Sequence, residues 1–162
     1  MRLNYLIIPL VTICVAVLGG MLTSTGLGEW YTSIQKPGFT PPGSIIGTVW
    51  TVIFFLSTIS AIIFWNLHAP YGGLVRDGRF RAVILIFLLN AFLNVFWSYL
   101  FFNQHQKYAA FWEAVALDIT VVALIVLMWR VTKWGSILLL PYACWVAFAS
   151  YLTWTIWSLN RT

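Results

Sequence analysis

Residues 82–106 read AVILIFLLNAFLNVFWSYLFFNQHQ and hold no Asp, Glu, Lys or Arg. An α-helix needs about 20 mostly apolar residues to cross the ~30 Å hydrocarbon core of a bilayer, and this run supplies them. It does not alternate apolar with polar residues as a barrel strand must. The same reading extends outward in both directions. Five stretches qualify as spans, roughly 4–23, 44–67, 81–102, 107–130 and 135–158. The second lies in a charge-free run from Pro37 to Val75, and the fifth in one from Gly135 to Asn160. Composition agrees, with 61% of the 162 residues hydrophobic and 8% charged. A soluble domain carries about 25% charged residues, so lipid must act as solvent for much of this chain. The expected fold class is an all-α integral membrane protein, a single domain over 1–162 built as a five-helix transmembrane bundle.

The formal net charge of +5 does not point to nucleic acid, because the basic residues are scattered at segment ends and form no stripe. They read instead as topology markers. With five spans, one side holds Arg2, Arg76, Arg79, Arg81, Arg130 and Lys133, and the other Lys36, Lys107 and Arg161. The positive-inside rule then puts the N-terminus in the cytoplasm and the C-terminus outside. Arg2 before an apolar run resembles a signal peptide. No small-residue cleavage site follows Val17, so a retained helix is expected. Trp65, Trp112, Trp129, Trp134 and Trp157 lie near span ends, where indole rings favour the headgroup level. Cys14 and Cys144 each sit inside an apolar run and are read as small core residues without a disulfide.

The long loop at about 24–43, STGLGEWYTSIQKPGFTPPG in its residues 24–43, carries Trp30, Tyr31 and Phe39 and is stiffened by Pro37, Pro41 and Pro42. Such a loop reads as a folded lid over one mouth of the bundle. Polar residues at membrane depth are costly and therefore informative. Asn90 and Asn94 stand one turn apart on one face of the third span, and Trp97 and Ser98 continue that face. They serve either as interhelical glue or as the polar wall of a cavity. Glu113 and Asp118 in the fourth span are five residues apart and share no face, which counts against a carboxylate pair. Glu113 reads as structural, near the helix start; Asp118 must face protein. His68 and His105 flank spans, where lone histidines are mostly interfacial, although either could ligate haem iron in principle. No metal cluster, phosphate-binding Gly loop or Ser/His/Asp set is visible, so no resident cofactor is expected.

These residues form a recognisable series. Trp30–Tyr31, KPGFTPPG at Lys36–Gly43, Trp50, Asn90 to Ser98 in LLNAFLNVFWSYLFF, Asp118 in EAVALD, and LLLPYACWVAFASYLTWTIWSLN at Leu138–Asn160 cover nearly the whole chain. In these motifs the chain resembles the translocator protein family, also called TspO/MBR or peripheral-type benzodiazepine receptor, and a bacterial cell membrane is its expected location. The resemblance implies a ligand pocket inside the five helices, closed by the first loop. It implies binding of porphyrins such as protoporphyrin IX and haem, and of isoquinoline carboxamide or benzodiazepine-type drugs. The matched pocket positions are Tyr31, Trp50, Asn90, Asn94, Trp97, Trp145 and Ala149. Some bacterial members are said to degrade porphyrin in light, a chemistry assigned to the tryptophans matching Trp50 and Trp145. A tetrapyrrole-related sensing, regulatory or trafficking role is therefore expected, with porphyrin degradation or porphyrin transport as alternatives. Animal members also bind cholesterol, but their sterol motif wants a basic residue within five of a Tyr. Here LTWTIWSLN separates Tyr151 from Arg161, so that motif is broken. A small-residue ridge that some members use for pairing on the third helix is missing here; Gly43–Gly47 and Ala110–Ala114 are small-xxx-small pairs, by themselves a weak signal for the homodimer weighed among its partners.

The topology is open to test by single-cysteine variants and a membrane-impermeant maleimide. A cysteine placed at 76–79 should label from the side of the N-terminus, and one at Lys36 from the opposite side. Labelling of both from one side would refute five spans.

Overall fold

The computed structural model describes residues 3–68 and 78–161, the side chain of His68 excepted. Arg2, Arg76 and the rest of the 69–77 loop, on which part of the orientation count rests, lie outside the described residues. In chain order the helices are α1 (Asn4–Gly26), α2 (Glu29–Ser33), α3 (Gly43–His68), α4 (Gly78–Ser98), α5 (Lys107–Trp129), α6 (Lys133–Ile137) and α7 (Leu140–Leu159). A π-helical turn at Tyr99–Asn103 prolongs α4. Five segments are long and apolar enough to cross a membrane: α1, α3, α4 with its extension, α5, and α6 with α7 as one interrupted span. The protein is thus all-helical and multi-pass, as the sequence leads one to expect.

Local chemistry sets several boundaries. Thr132 caps α6, its hydroxyl accepting from the Gly135 N–H at 3.0 Å. Pro141 stands in the first turn of α7, where its missing N–H costs nothing. The first loop is less irregular than its composition suggests, because residues 29–33 wind into α2 before Pro37 enforces an extended exit. α1 runs on to Gly26, three residues past the expected end at 23, and α4 begins at Gly78 rather than 81.

The spans close into a ring: α1 touches α3 and α4, α4 touches α5, α5 touches α7, and α7 returns to α3. In lipid no hydrophobic force drives such packing, so small side chains and hydrogen bonds take its place. α1 buries only Asn4 and Gly26 outright. It is held to α3 by Thr58 Oγ1 donating to Thr12 Oγ1 at 2.9 Å and by Asn4 Nδ2 donating to Asn66 Oδ1 at 3.0 Å. Ser60 Oγ, on α3, donates to the Gly135 carbonyl of α6 at 2.7 Å. The main core runs along the inner faces of α3, α4, α5 and α7 through Phe64, Val83, Val121, Leu124 and Val146. A second cluster, with Ile34, Phe101, Phe102, Ala110 and Ile156, fills the end beneath the first loop.

Two expectations need correction. Cys14 and Cys144 are exposed free thiols rather than core residues. A helix whose every face is apolar gives no sequence sign of which side meets lipid, and these two fall on the lipid side. Ala110 and Ala114 are buried within this chain, on the inward face of α5, and so are not free to pair two copies. Gly43 and Gly47 are exposed. Trp112, Trp129 and Trp134 are exposed near helix ends, as interfacial anchors require.

Gly26 marks a close approach of α1 to the π-helical turn, since a Cβ there would overlap the Phe102 Cβ and carbonyl. Gly20 faces open space. Gly26→Ala is therefore expected to lower the melting temperature of the purified protein, with a strain of about 1–3 kcal/mol, while Gly20→Ala leaves it unchanged. Equal melting curves for the two variants would remove this contact from the packing argument.

Candidate functional site

The polar residues of the third span do not stand alone. Asn94 Nδ2 donates to the Tyr142 hydroxyl at 2.8 Å. That hydroxyl donates to Asn90 Oδ1 at 3.0 Å, and Asn90 Nδ2 donates to Thr120 Oγ1 at 2.8 Å. Thr120 Oγ1 in turn donates to the Leu117 carbonyl at 2.6 Å. The chain joins α4, α7 and α5 in one buried layer, with Tyr142 only 3% exposed. Trp50, on α3, meets the Tyr142 ring edge-on at 6.0 Å, so the fourth wall touches the same layer.

This layer divides the bundle. On the side away from the first loop lies a cavity of about 170 Å³ between the first half of α1, the second half of α3 and the first half of α4. Its lining is almost wholly apolar, and Asn90, Asn94 and Tyr142 form its polar end. Ile7, Val11 and Leu88 of its wall are also exposed, so it opens sideways toward lipid. Drug-sized pockets measure about 300–1,000 Å³, so a large ligand must displace side chains to enter.

On the other side, aromatic rings pack beneath the first loop. Trp97 stacks on Phe101 with centroids 5.0 Å apart, and Tyr31 lies 5.8 Å from Phe102. Several buried polar atoms have no partner among the described residues: Trp97 Nε1, Trp145 Nε1, both carboxyl oxygens of Glu113, Asp118 Oδ1 and Asn103 Oδ1, and, in the wall of the cavity on the far side, Ser57 Oγ. Glu113 therefore departs from its reading as a helix-start residue. It lies six residues into α5, beyond the first turn where the helix dipole acts, and is buried.

The first loop is docked as a lid. Trp30 stacks on His105 at 4.0 Å with the rings 13° apart, and His105 takes a left-handed φ of 56° that aims its ring there. The Gln35 N–H donates to Asn160 Oδ1, and Asn160 Nδ2 donates back to the Gln35 carbonyl, both at 2.9 Å. Lys36 Nζ donates to the carbonyls of Tyr31 and Ile34 and lies 4.5 Å over the Tyr31 ring. Burial pushes the Tyr31 phenol up from its ordinary value, so it stays a neutral hydroxyl.

Of the seven residues singled out in the sequence, Asn90 and Asn94 line the cavity together. Trp50 reaches the polar layer through Tyr142. Tyr31 and Trp97 belong to the cluster under the lid, and Trp145 packs at the edge of the main core, 5.4 Å from Phe148. Ala149 lies on α7, its carbonyl accepting from Thr153 Oγ1 at 2.8 Å. Tyr142 and Thr120 are not distinguished by the sequence. The one signal for them was a hydroxyl set in an apolar run, which the sequence offers at many other positions. Among the described residues no group of His, Cys, Asp or Glu could hold a metal ion.

A multi-pass helical bundle with a polar layer at mid-membrane and a lid docked over one end defines a class of membrane protein. The match to known families is specific: the TspO/MBR family model covers residues 7–158, and the chain belongs to that family. It is 37% identical over 151 residues to the tryptophan-rich protein TspO of Archaeoglobus fulgidus, covering 93% of each chain. It is 30% identical over 134 residues to protein CrtK of Rhodobacter capsulatus, covering 82% of this chain and 79% of that one. To the translocator protein of Sus scrofa it is 29% identical over 150 residues, covering 89% and 85%.

Tyr142→Phe is expected to break the chain at its centre, leaving the Asn94 donor and the Asn90 acceptor unpaired. Intramembrane hydrogen bonds contribute about 0.6–2 kcal/mol each, so melting should fall by several degrees in detergent. Stability equal to the parent would show that the layer does not hold the helices.

Proposed function

We propose that this protein binds a porphyrin, protoporphyrin IX or haem, and hydrophobic drug-like ligands of the isoquinoline carboxamide or benzodiazepine type, inside the bundle. Its role is tetrapyrrole-related sensing, regulation or trafficking. The observation that carries this reading is the amide–phenol layer at mid-membrane, flanked by Trp50 and by buried indole N–H groups without partners. A flat apolar macrocycle gains from stacking on indole faces, and its polar edge can satisfy donors that otherwise stay unpaired. Family membership supports the same reading, as does the name translocator protein on the Sus scrofa relative. We place the protein in a bacterial cell membrane with its N-terminus in the cytoplasm and its C-terminus outside, on the distribution of Lys and Arg.

A second reading, light-driven porphyrin breakdown, is favoured by one contact. Trp50 and Tyr142, two oxidisable rings, meet edge-to-face within the layer. Trp145 would share that chemistry.

Both readings are tested by titrating protoporphyrin IX and an isoquinoline carboxamide into the purified protein and then illuminating the porphyrin complex. Trp50→Phe and Trp145→Phe should weaken porphyrin binding modestly, by a few-fold. Asn94→Leu should weaken ligands with polar edges more than purely apolar ones. If breakdown occurs, bleaching should fall sharply in the two Trp variants. Parent-like binding and bleaching in all three would exclude this region as the site.

A further inference from the structure

We propose that Glu113 recognises the ligand, receiving with the indole N–H groups of Trp97 and Trp145 a carboxylic-acid group in the lid-side half of the bundle. This inference rests on the porphyrin-binding reading and assigns the polar edge of that ligand a place.

Glu113 is 7% exposed, and among the described residues neither carboxyl oxygen has a hydrogen-bond partner. A carboxyl at membrane depth normally pairs with another side chain or with backbone, because leaving it alone is costly. Among the described residues this one has no such hydrogen-bond partner, so none of them uses it as interhelical glue.

The helix register shows what lies beside it. Asn90 on α4 donates to Thr120 on α5, which fixes the two antiparallel helices against each other. Seven residues is about two helical turns. Trp97, seven residues beyond Asn90, therefore stands at the depth of Glu113, seven residues before Thr120, and each keeps the inward face of its partner in the layer. α7 runs parallel to α4 and is tied to it where Tyr142 meets Asn90 and Asn94. Trp145 and Ala149, one and two turns further along α7, bracket the same depth. The indole nitrogens of Trp97 and Trp145 also lack partners. One unpartnered carboxyl and two unpartnered N–H donors thus share a level just lid-side of the amide layer.

The donor and acceptor types select the ligand group. An indole N–H can only donate, while a carboxyl donates or accepts according to whether it holds its proton. A ligand carboxyl answers both: one proton lies between it and Glu113, while its other oxygen accepts from an indole. The two carboxyls then share one proton, which halves the charge to be buried. Lys36 is the rival for this group. Its ammonium is already engaged by the carbonyls of Tyr31 and Ile34 and by the Tyr31 ring.

The test compares protoporphyrin IX, a diacid, with its dimethyl ester, followed by porphyrin absorbance in protein reconstituted in nanodiscs. The parent should bind the diacid at least tenfold more tightly than the ester. Glu113→Leu should bring that ratio close to one while ester affinity stays within twofold of the parent. Glu113→Gln, which keeps the shape but cannot share a proton, should lower the ratio by several-fold, and it carries the test if the Leu variant does not fold. Lys36→Met should preserve the ratio. A ratio unchanged in the Glu113 variants, or one lost in Lys36→Met, would overturn the assignment while leaving porphyrin binding in place. Failure of the parent to bind either porphyrin would instead overturn the binding reading, and this inference with it.

Discussion

The Tyr142 hydroxyl is the joint on which the bundle depends. It accepts from Asn94 and donates to Asn90, and Asn90 in turn donates to Thr120. Three helices that lipid would otherwise leave free to slide are thereby fixed in depth and rotation. Bonds of this kind are individually modest. Their value lies in direction, because each group has one geometry in which every donor finds its acceptor. A shift of one helix by a single turn would leave several buried polar groups unpaired at once.

From that joint the two halves of the molecule diverge. Away from the lid the interior is mostly apolar and loosely filled, with a small cavity that reaches toward lipid and holds one unpartnered hydroxyl, that of Ser57. Toward the lid it is densely aromatic yet polar in an unfinished way, since Glu113, Trp97 and Trp145 hold buried atoms without partners. Natural interiors rarely leave such atoms orphaned. In the porphyrin-binding reading proposed above, the ligand completes the set. The amide layer can then hold the fold while the groups on its lid side stay available.

The lid is held differently from the bundle. Its attachments are backbone bonds to Asn160, a ring stack on His105 and a lysine folded onto its own loop. All lie at helix ends, where water competes for hydrogen bonds and weakens them. Opening such a cover parts fewer buried contacts than separating α4 from α7.

The sequence by itself determined the class. Charge-free runs long enough to span, the Trp residues at their ends and the two Asn residues one turn apart follow from solvation in lipid, which acts on each segment separately. The family motifs, from Trp30 to Asn160, were legible for the same reason: they are strings in one chain. What the sequence left open was every question of facing. All sides of these helices are apolar, so no periodicity showed that Cys14 and Cys144 meet lipid or that Ala110 and Ala114 point inward. Nor could it choose Tyr142 as the partner of both Asn residues, since that pairing joins positions 48 and 52 residues apart. Only the tertiary structure decided it, because where hydrophobicity no longer separates inside from outside, the matching of one donor to one acceptor across helices does.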